Sequence, residues 1–447
     1  MPLSRTRVRQ VLSLSLPIMG GMLSQNILNL VDTAMVGRVG EGTEGTIAQA
    51  AVGYGSFANF LSIAFIMGLS VGVQAIAARR MGEGRPDVAA VPLNGGILLS
   101  ILIGVPLSIL LYWATPLFFP FFIDDPAVIA AGVPYLRARL IAAALVGVNF
   151  SFRGFWNGIK KSHIYMGTIV IMHMVNIGCN YAFIFGNWGA PELGAEGAGV
   201  ASAISIACGS AIYFGMGLTQ MRGFGFLSAW PSAEVLRGLI RLALPNGVQQ
   251  VFFSGGMLAM FIILGLVGRD EAAAANIMIT LLLFAYLPGM GLGMGAATLV
   301  GESLGRKDPG EAMNWGFDVA RIGMMFLAFL GLPMVVFPEL LLRIFTQDPN
   351  VITIALIPLR ITGAVMFLEG VSLVLMHSLF GAGDNKRVML AAVAYQWLFF
   401  LPAAFIIVQF LNGGLLAVWL ANLAYRSLLG LTFFFLWKRG EWQSIKL

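Results

Sequence analysis

Leu98-Leu-Ser-Ile-Leu-Ile-Gly-Val-Pro-Leu-Ser-Ile-Leu-Leu111 is an apolar run interrupted only by two serines, a glycine and a proline. In lipid every backbone polar group must be satisfied within the structure, which leaves helices or closed barrels, and barrel strands are short and alternate rather than run on. The stretch therefore reads as a membrane helix. Crossing the hydrocarbon takes roughly 20 apolar residues, and the run extends over 91–113. Outward from it, comparable spans fall at 11–36, 48–75, 127–149, 163–186, 195–219, 236–267, 273–299, 316–338, 351–379, 388–411 and 413–437. The expected fold class is an all-α integral membrane protein of twelve transmembrane helices, with both termini on one side. A hydrophobic fraction of 58%, a charged fraction of 11% and a mean hydropathy of +0.85 exclude a soluble or disordered chain of 447 residues.

A net charge of +6 would suggest a nucleic-acid partner only if the basic residues gathered on one soluble face. Instead, 18 Lys and Arg fall at the N-terminus, the loops after even-numbered spans and the C-terminus, among them Arg79, Arg80, Lys160, Lys161, Arg306 and Lys386. The opposite loops hold only Arg38, Arg269 and Arg343. The positive-inside rule makes the first side cytoplasmic, so no nucleic acid is implied. The basic start with Arg5, Arg7 and Arg9 resembles a signal peptide, but the apolar run is too long and lacks a small-residue cleavage site, so it reads as a retained first helix. Cys179 and Cys208 lie inside apolar spans with no disulfide or metal spacing.

The chain repeats itself. Met67-Gly-Leu-Ser-Val-Gly72 matches Met290-Gly-Leu-Gly-Met-Gly295 at an offset of 223, which also carries Leu136-Arg137 onto Leu359-Arg360 and Gly158 onto Gly381. Pro17 and Pro245 pair at 228. Duplicated transporters place their sites near such repeats. The expected organisation is two six-helix bundles related by a pseudo-two-fold axis, 1–220 and 233–447, joined by a cytoplasmic linker at 221–232. The glycine-rich Gly289–Gly295 lacks the Lys-Ser/Thr of a phosphate-binding loop, so ATP is not expected to act on this chain and no cofactor is implied.

Charges inside spans are costly and mark function by default. Gln25, Asn29 and Asp32 share one face of the first span, and that polar stripe suits a wet pocket rather than lipid. His173, Asn176 and Asn180 form a second stripe on the fifth span, with Tyr181 beside it. Carboxamides supply oxygens to an ion or hydrogen bonds to a carboxyl. Glu369, flanked by apolar residues on the tenth span, reads as an unpaired buried carboxyl, either a titrating relay or a neutral hydrogen-bonder. Met260 stands where Asp32 would recur, so the halves are chemically unequal. Asp318 and Arg321, spaced i, i+3, read as an ion pair, whereas Arg137 and Arg360 have no evident role.

These residues carry a resemblance. Leu16-Pro17, Leu30-Val-Asp-Thr-Ala-Met-Val-Gly37, Gly82-Glu-Gly-Arg85, Tyr135-Leu-Arg-Ala-Arg139, Asn176-Ile-Gly-Cys-Asn-Tyr-Ala-Phe-Ile-Phe-Gly186, Gly197-Ala-Gly-Val-Ala-Ser202 and Phe380-Gly-Ala-Gly-Asp384 together resemble the multidrug and toxic compound extrusion (MATE) family, DinF-like branch, over nearly the whole chain. The resemblance implies V-shaped six-helix lobes and a monomer, not an enzyme, in the bacterial cytoplasmic (inner) membrane. Such a protein exports small amphipathic drugs or toxic metabolites, often cationic or aromatic, by alternating access, in exchange for H⁺ or Na⁺. It implies coupling at Asp32 with Asn176, Asn180 and Ser202, and substrate contact at Gln25, to which the polar stripes add Asn29, Asp32 and Tyr181. Glu369 and His173 are secondary candidates. Related members often carry an Asp where Asn180 stands; with one carboxylate, a sodium cage over Asp32, Asn176, Asn180 and Ser202 is weaker and proton coupling is favoured. The alternatives are Na⁺-coupled drug efflux and a flippase for lipid-linked precursors on the same scaffold.

Overall fold

The computed structural model describes residues 4–447. No strand occurs among them. The helices of the first half are α1 (Arg5–Val36), α2 (Glu44–Met67), α3 (Leu69–Gly82), α4 (Val91–Phe118), α5 (Pro126–Ile141), α6 (Ala143–Gly158), α7 (Ser162–Phe185) and α8 (Ala195–Gln220). Those of the second half are α9 (Ala233–Val267), α10 (Arg269–Gly305), α11 (Pro309–Val336), the short α12 (Pro338–Arg343), α13 (Pro349–Ala382), α14 (Asn385–Ala394), α15 (Leu401–Gln409) and α16 (Leu415–Arg439). A π-helical segment, Tyr395–Phe400, joins α14 to α15. Among the described residues, 11 helical segments are long and apolar enough to span a membrane, and the bent pair α5–α6, with 50° between its members, makes a twelfth. All twelve expected spans are thus helical.

Helix starts follow local chemistry. At α5, α11 and α13 an Asp-Pro step places proline in the first turn, where a missing N–H costs nothing, and the aspartate caps the exposed amides. Asp125 accepts from the Ala127 N–H at 2.9 Å, Asp308 from the Glu311 N–H at 2.8 Å, and Asp348 from the Asn350 N–H at 2.9 Å. Asp125-Pro126 and Asp348-Pro349 also stand 223 residues apart, so the repeat extends to the caps.

By its internal contacts the chain divides into two compact units: Gly20–Gly247, and the start of the chain up to Met19 together with Val248–Leu447. The boundaries fall inside α1 and α9, and the segment 221–232 lies within the first of these units. In the first unit Asn94 holds that segment onto α4, donating to the Gly225 and Ala229 carbonyls at 2.9 Å each and accepting from the Leu227 N–H at 3.1 Å.

Inside each unit glycines let helix backbones meet, the usual device where lipid gives no hydrophobic drive to helix pairing. A Cβ on Gly68 would stand 2.4 Å from the Ala243 carbonyl oxygen, so α9 begins against the α2–α3 junction. The repeat reproduces the contact in the second unit, where a Cβ on Gly291 would stand 2.6 Å from Met19 Cγ and 3.1 Å from its backbone nitrogen. There α11 and α13 also meet through reciprocal glycines: a Cβ on Gly331 would lie 2.4 Å from the Gly363 oxygen, and one on Gly363 would lie 2.7 Å from the Gly331 oxygen. Pro17 and Pro245, each two residues before a unit boundary, interrupt the hydrogen-bond ladders of α1 and α9.

Candidate coupling site

The two polar stripes of the first half face each other. Asn180 Nδ2 donates to Asp32 Oδ1 at 2.6 Å, and His173 Nε2 lies 3.3 Å from Gln25 Oε1. Both pairs advance by seven residues on their own helix, so α1 and α7 run parallel here with two turns in register. Gln25 Nε2 also donates to Asn29 Oδ1 at 3.4 Å, which joins the expected stripe along α1.

Behind Asp32 the carboxamides form a second layer. Asn180 Nδ2 is 3.0 Å from Asn176 Oδ1, and Asn176 Nδ2 lies 3.5 Å from Ser202 Oγ on α8. Asn176 satisfies more partners with its amide turned by half a rotation: its nitrogen then stands 3.0 Å from Asp32 Oδ1 and its oxygen accepts from the Ser202 N–H at 3.3 Å. In either orientation Asp32 accepts from the Asn180 N–H, and the Asn176 N–H joins it only in the turned one. Asn180 Oδ1 is buried without a hydrogen-bond partner.

Asp32, Asn176, Asn180 and Ser202 therefore form one cluster, with Gln25, Asn29 and His173 along the same seam. Tyr181 points elsewhere: its ring packs edge-to-face on Trp188 with centroids 5.2 Å apart and is largely exposed. Sequence reasoning missed the partner of Arg139 on α5: its Nη1 donates to the Tyr135 hydroxyl at 2.8 Å, and that hydroxyl also lies 2.8 Å from Ser56 Oγ. The i, i+4 spacing of Tyr135 and Arg139 was a legible signal of that hydroxyl–guanidinium pair. Arg137 turns away, donating from Nε to the Tyr112 carbonyl at 3.1 Å with its guanidinium over the Tyr112 ring.

Glu369 requires a correction: it is not unpaired. Arg426 on α16 grips it with both Nε and Nη2, the latter 3.0 Å from Oε2, and the guanidinium sits 5.2 Å from the Tyr286 ring centroid. The pair lines a cavity of about 60 Å³ together with Gln249, Ser372 and Gln396, enough for a few waters. The π-helical segment shapes one wall, since Gln396 donates to the Phe253 carbonyl at 3.2 Å and Trp397 to that of Phe252 at 3.0 Å. Met260 belongs to the apolar core and is 2% exposed, so the Asp32 chemistry does not recur. Asp318 and Arg321 pair at 3.4 Å as expected, and Arg7 binds both Asp318 and Glu311.

A profile described as MatE matches residues 17–182 and again 245–406, well over half of the chain. The chain belongs to the MatE family. The two matched stretches open at Pro17 and Pro245, the proline pair of the internal repeat. Among curated relatives, a probable multidrug resistance protein NorM of Thermotoga maritima is 27% identical over 444 residues, 98% of this chain and 93% of the relative. A multidrug resistance protein NorM of Photobacterium profundum is 24% identical over 407 residues, covering 90% and 88%. Among solved structures, an outward-facing multidrug resistance MATE family transporter of the MOP superfamily superposes with a TM-score of 0.88 at 20% identity, covering 98% of this chain and 97% of that one. A MATE protein in its straight conformation gives 0.86 at 21% identity over 97% and 96%. At such identities the structural matches establish the fold, which is that of MATE proteins. As a MATE protein this chain is a multi-pass, ion-gradient-driven membrane transporter, not an enzyme.

Proposed function

We propose that this MATE protein is a secondary active multidrug efflux antiporter that exports amphipathic, often cationic or aromatic compounds in exchange for H⁺ taken up at Asp32. The observation that carries the reading is the lone carboxylate inside a spanning helix, met by the Asn180 N–H at 2.6 Å. Carboxamide N–H donors accommodate a charged carboxylate, and a bound proton removes the need for them. The hydrogen bonding around Asn176, Asn180 and Ser202 then changes with protonation and reshapes α1. Sodium, as the alternative coupling ion, would need several converging oxygens, whereas Asn180 turns its nitrogen towards Asp32. Gln25 and Asn29 continue the polar seam and are the proposed substrate contacts, with His173 as a secondary group on the same seam.

The named activity of the NorM relatives, multidrug resistance, supports the drug-efflux reading over a lipid-linked-precursor flippase. The proposed location is the bacterial cytoplasmic membrane, as a monomer with both termini inside. The test is ethidium transport into proteoliposomes under an imposed pH gradient. The wild type transports, Asp32→Asn falls to the empty-liposome rate, and omission of Na⁺ leaves the wild-type rate unchanged. Wild-type transport by Asp32→Asn overturns coupling at this residue, and loss of transport without Na⁺ reverses the choice of ion.

A further inference from the structure

The cavity beside Glu369 and Arg426 lies within the second unit, and its polar lining keeps hydrogen-bonding capacity that the fold does not use. Glu369 and Arg426 are the two charged residues of that lining, and they hold each other through both carboxylate oxygens. The pocket is therefore formally neutral. A ligand of either net charge would meet a like charge at the same range as the opposite one, or would have to break a buried pair. Gln249 on α9 offers something else. Its Oε1 is buried with no hydrogen-bond partner, while its Nε2 lies 3.8 Å from the Met376 sulfur, a weak acceptor. A buried acceptor left unpaired is unfavourable, and a donor arriving on a ligand relieves that penalty.

Gln396 on the π-helical segment commits its Nε2 to the Phe253 carbonyl at 3.2 Å, and Gly256 makes room for it, since a Cβ there would stand 2.1 Å from that nitrogen. The carboxamide is thus fixed with its nitrogen towards α9, and its oxygen remains as a second acceptor. Phe253, Leu373, Met376 and Phe433 supply apolar walls around these groups. Apolar walls with a few convergent polar atoms are the usual make-up of a small-molecule site. At about 60 Å³ the cavity takes a head group rather than a whole drug, and it is partly open, so a larger molecule enters head first.

We propose that this cavity is a recognition site for the uncharged, N–H-bearing head of an amphipathic compound. Gln249 Oε1 is the acceptor that meets the head, and the closed Glu369–Arg426 pair is what disfavours charged heads. The site goes beyond the coupling reading of Asp32 and does not depend on it, because it concerns binding at a different set of residues.

The experiment is equilibrium dialysis of the purified full-length protein in detergent against tritiated benzamide, whose carboxamide supplies the N–H head, with protein-free detergent as the blank. Benzamidine and benzoate carry a cationic and an anionic head of nearly the same shape, and N,N-dimethylbenzamide lacks the N–H. The wild type should retain benzamide above the blank. Gln249→Met, close to glutamine in length, should bind it about tenfold more weakly, the factor that loss of roughly 1.4 kcal/mol gives. Benzamidine, benzoate and N,N-dimethylbenzamide should each displace the label from the wild type about tenfold less effectively than unlabelled benzamide, by the same arithmetic. Equal retention by the wild type and folded Gln249→Met, or none by either, overturns the site and leaves the cavity to water. Displacement by benzamidine or benzoate as effective as by benzamide overturns the part given to the ion pair. Should Gln249→Met fail to fold, the wild type decides alone: N,N-dimethylbenzamide as effective as benzamide means that no N–H donor is recognised, and the proposal falls. Ethidium transport by Asp32→Asn bears on the coupling reading and leaves this one untouched.

Discussion

Glu369 and Arg426 share a two-point grip inside spanning helices, and the consequences of breaking it are asymmetric. Removing one partner leaves the other charge without compensation in a low-dielectric site, which costs about 3–5 kcal/mol, whereas replacing both by apolar side chains is often neutral. Glu369→Gln or Arg426→Met alone should therefore lower the midpoint of thermal unfolding in detergent strongly, and Glu369→Leu combined with Arg426→Met should recover most of the loss. Equal, additive losses in the single and double variants would show that the two side chains do not act as a pair. The acid was visible in the sequence and its partner was not, because the partner lies 57 residues away on α16, with no spacing rule to connect them. Asp32 and Asn180 are farther apart in the chain, yet their meeting was legible. Each sits on a polar stripe of an otherwise apolar helix, and two such stripes have few places to go except towards each other. Arg139 stands between these cases: its bond to Tyr135 follows from helical spacing, while the seating of Tyr135 depends on how α5 packs on α8.

At the scale of elements, the duplication was readable because glycine is hard to replace where backbones touch. The Met67–Gly72 and Met290–Gly295 runs match since each supplies the surface on which the opening stretch of α1 or α9 is seated, through Gly291 against Met19 and Gly68 against Ala243. Gly68→Val and Gly291→Val should both destabilise. Gly68→Val should be the worse of the two, because the obstacle there is a carbonyl oxygen 2.4 Å away rather than the flexible Met19 side chain. Overpacking of this kind costs roughly 1–3 kcal/mol and occasionally more. Thermal unfolding in detergent reads the order, and the reverse order would mean that the Met19 contact is the stiffer one. The sequence did not reveal the π-helical segment at Tyr395–Phe400. Its extra residue is set by side chains reaching α9, Gln396 to the Phe253 carbonyl and Trp397 to that of Phe252, and those are long-range contacts with no local signature.

At the scale of the whole molecule, run length and composition were enough to count the spans, because lipid leaves the backbone no alternative to a helix of membrane-crossing length. Orientation rests on a different quantity, the placement of Lys and Arg relative to helix ends. Helix α13, 34 residues long, offers a direct measurement. At 1.5 Å per residue it extends about 50 Å, well beyond the hydrocarbon thickness, so its two flanks must emerge on opposite sides. Gln347 precedes it, close to Arg343, and Lys386 follows it beside Arg387; both positions are exposed. In a background with Cys179 and Cys208 replaced by alanine, a membrane-impermeant maleimide added to intact cells should label Gln347→Cys and leave Lys386→Cys untouched until the cells are lysed. The converse pattern would invert the protein in the membrane and place both termini outside. Labelling of both positions in intact cells would mean that α13 does not cross the bilayer as a single helix, and the even count of spans that puts the two termini together would fall with it.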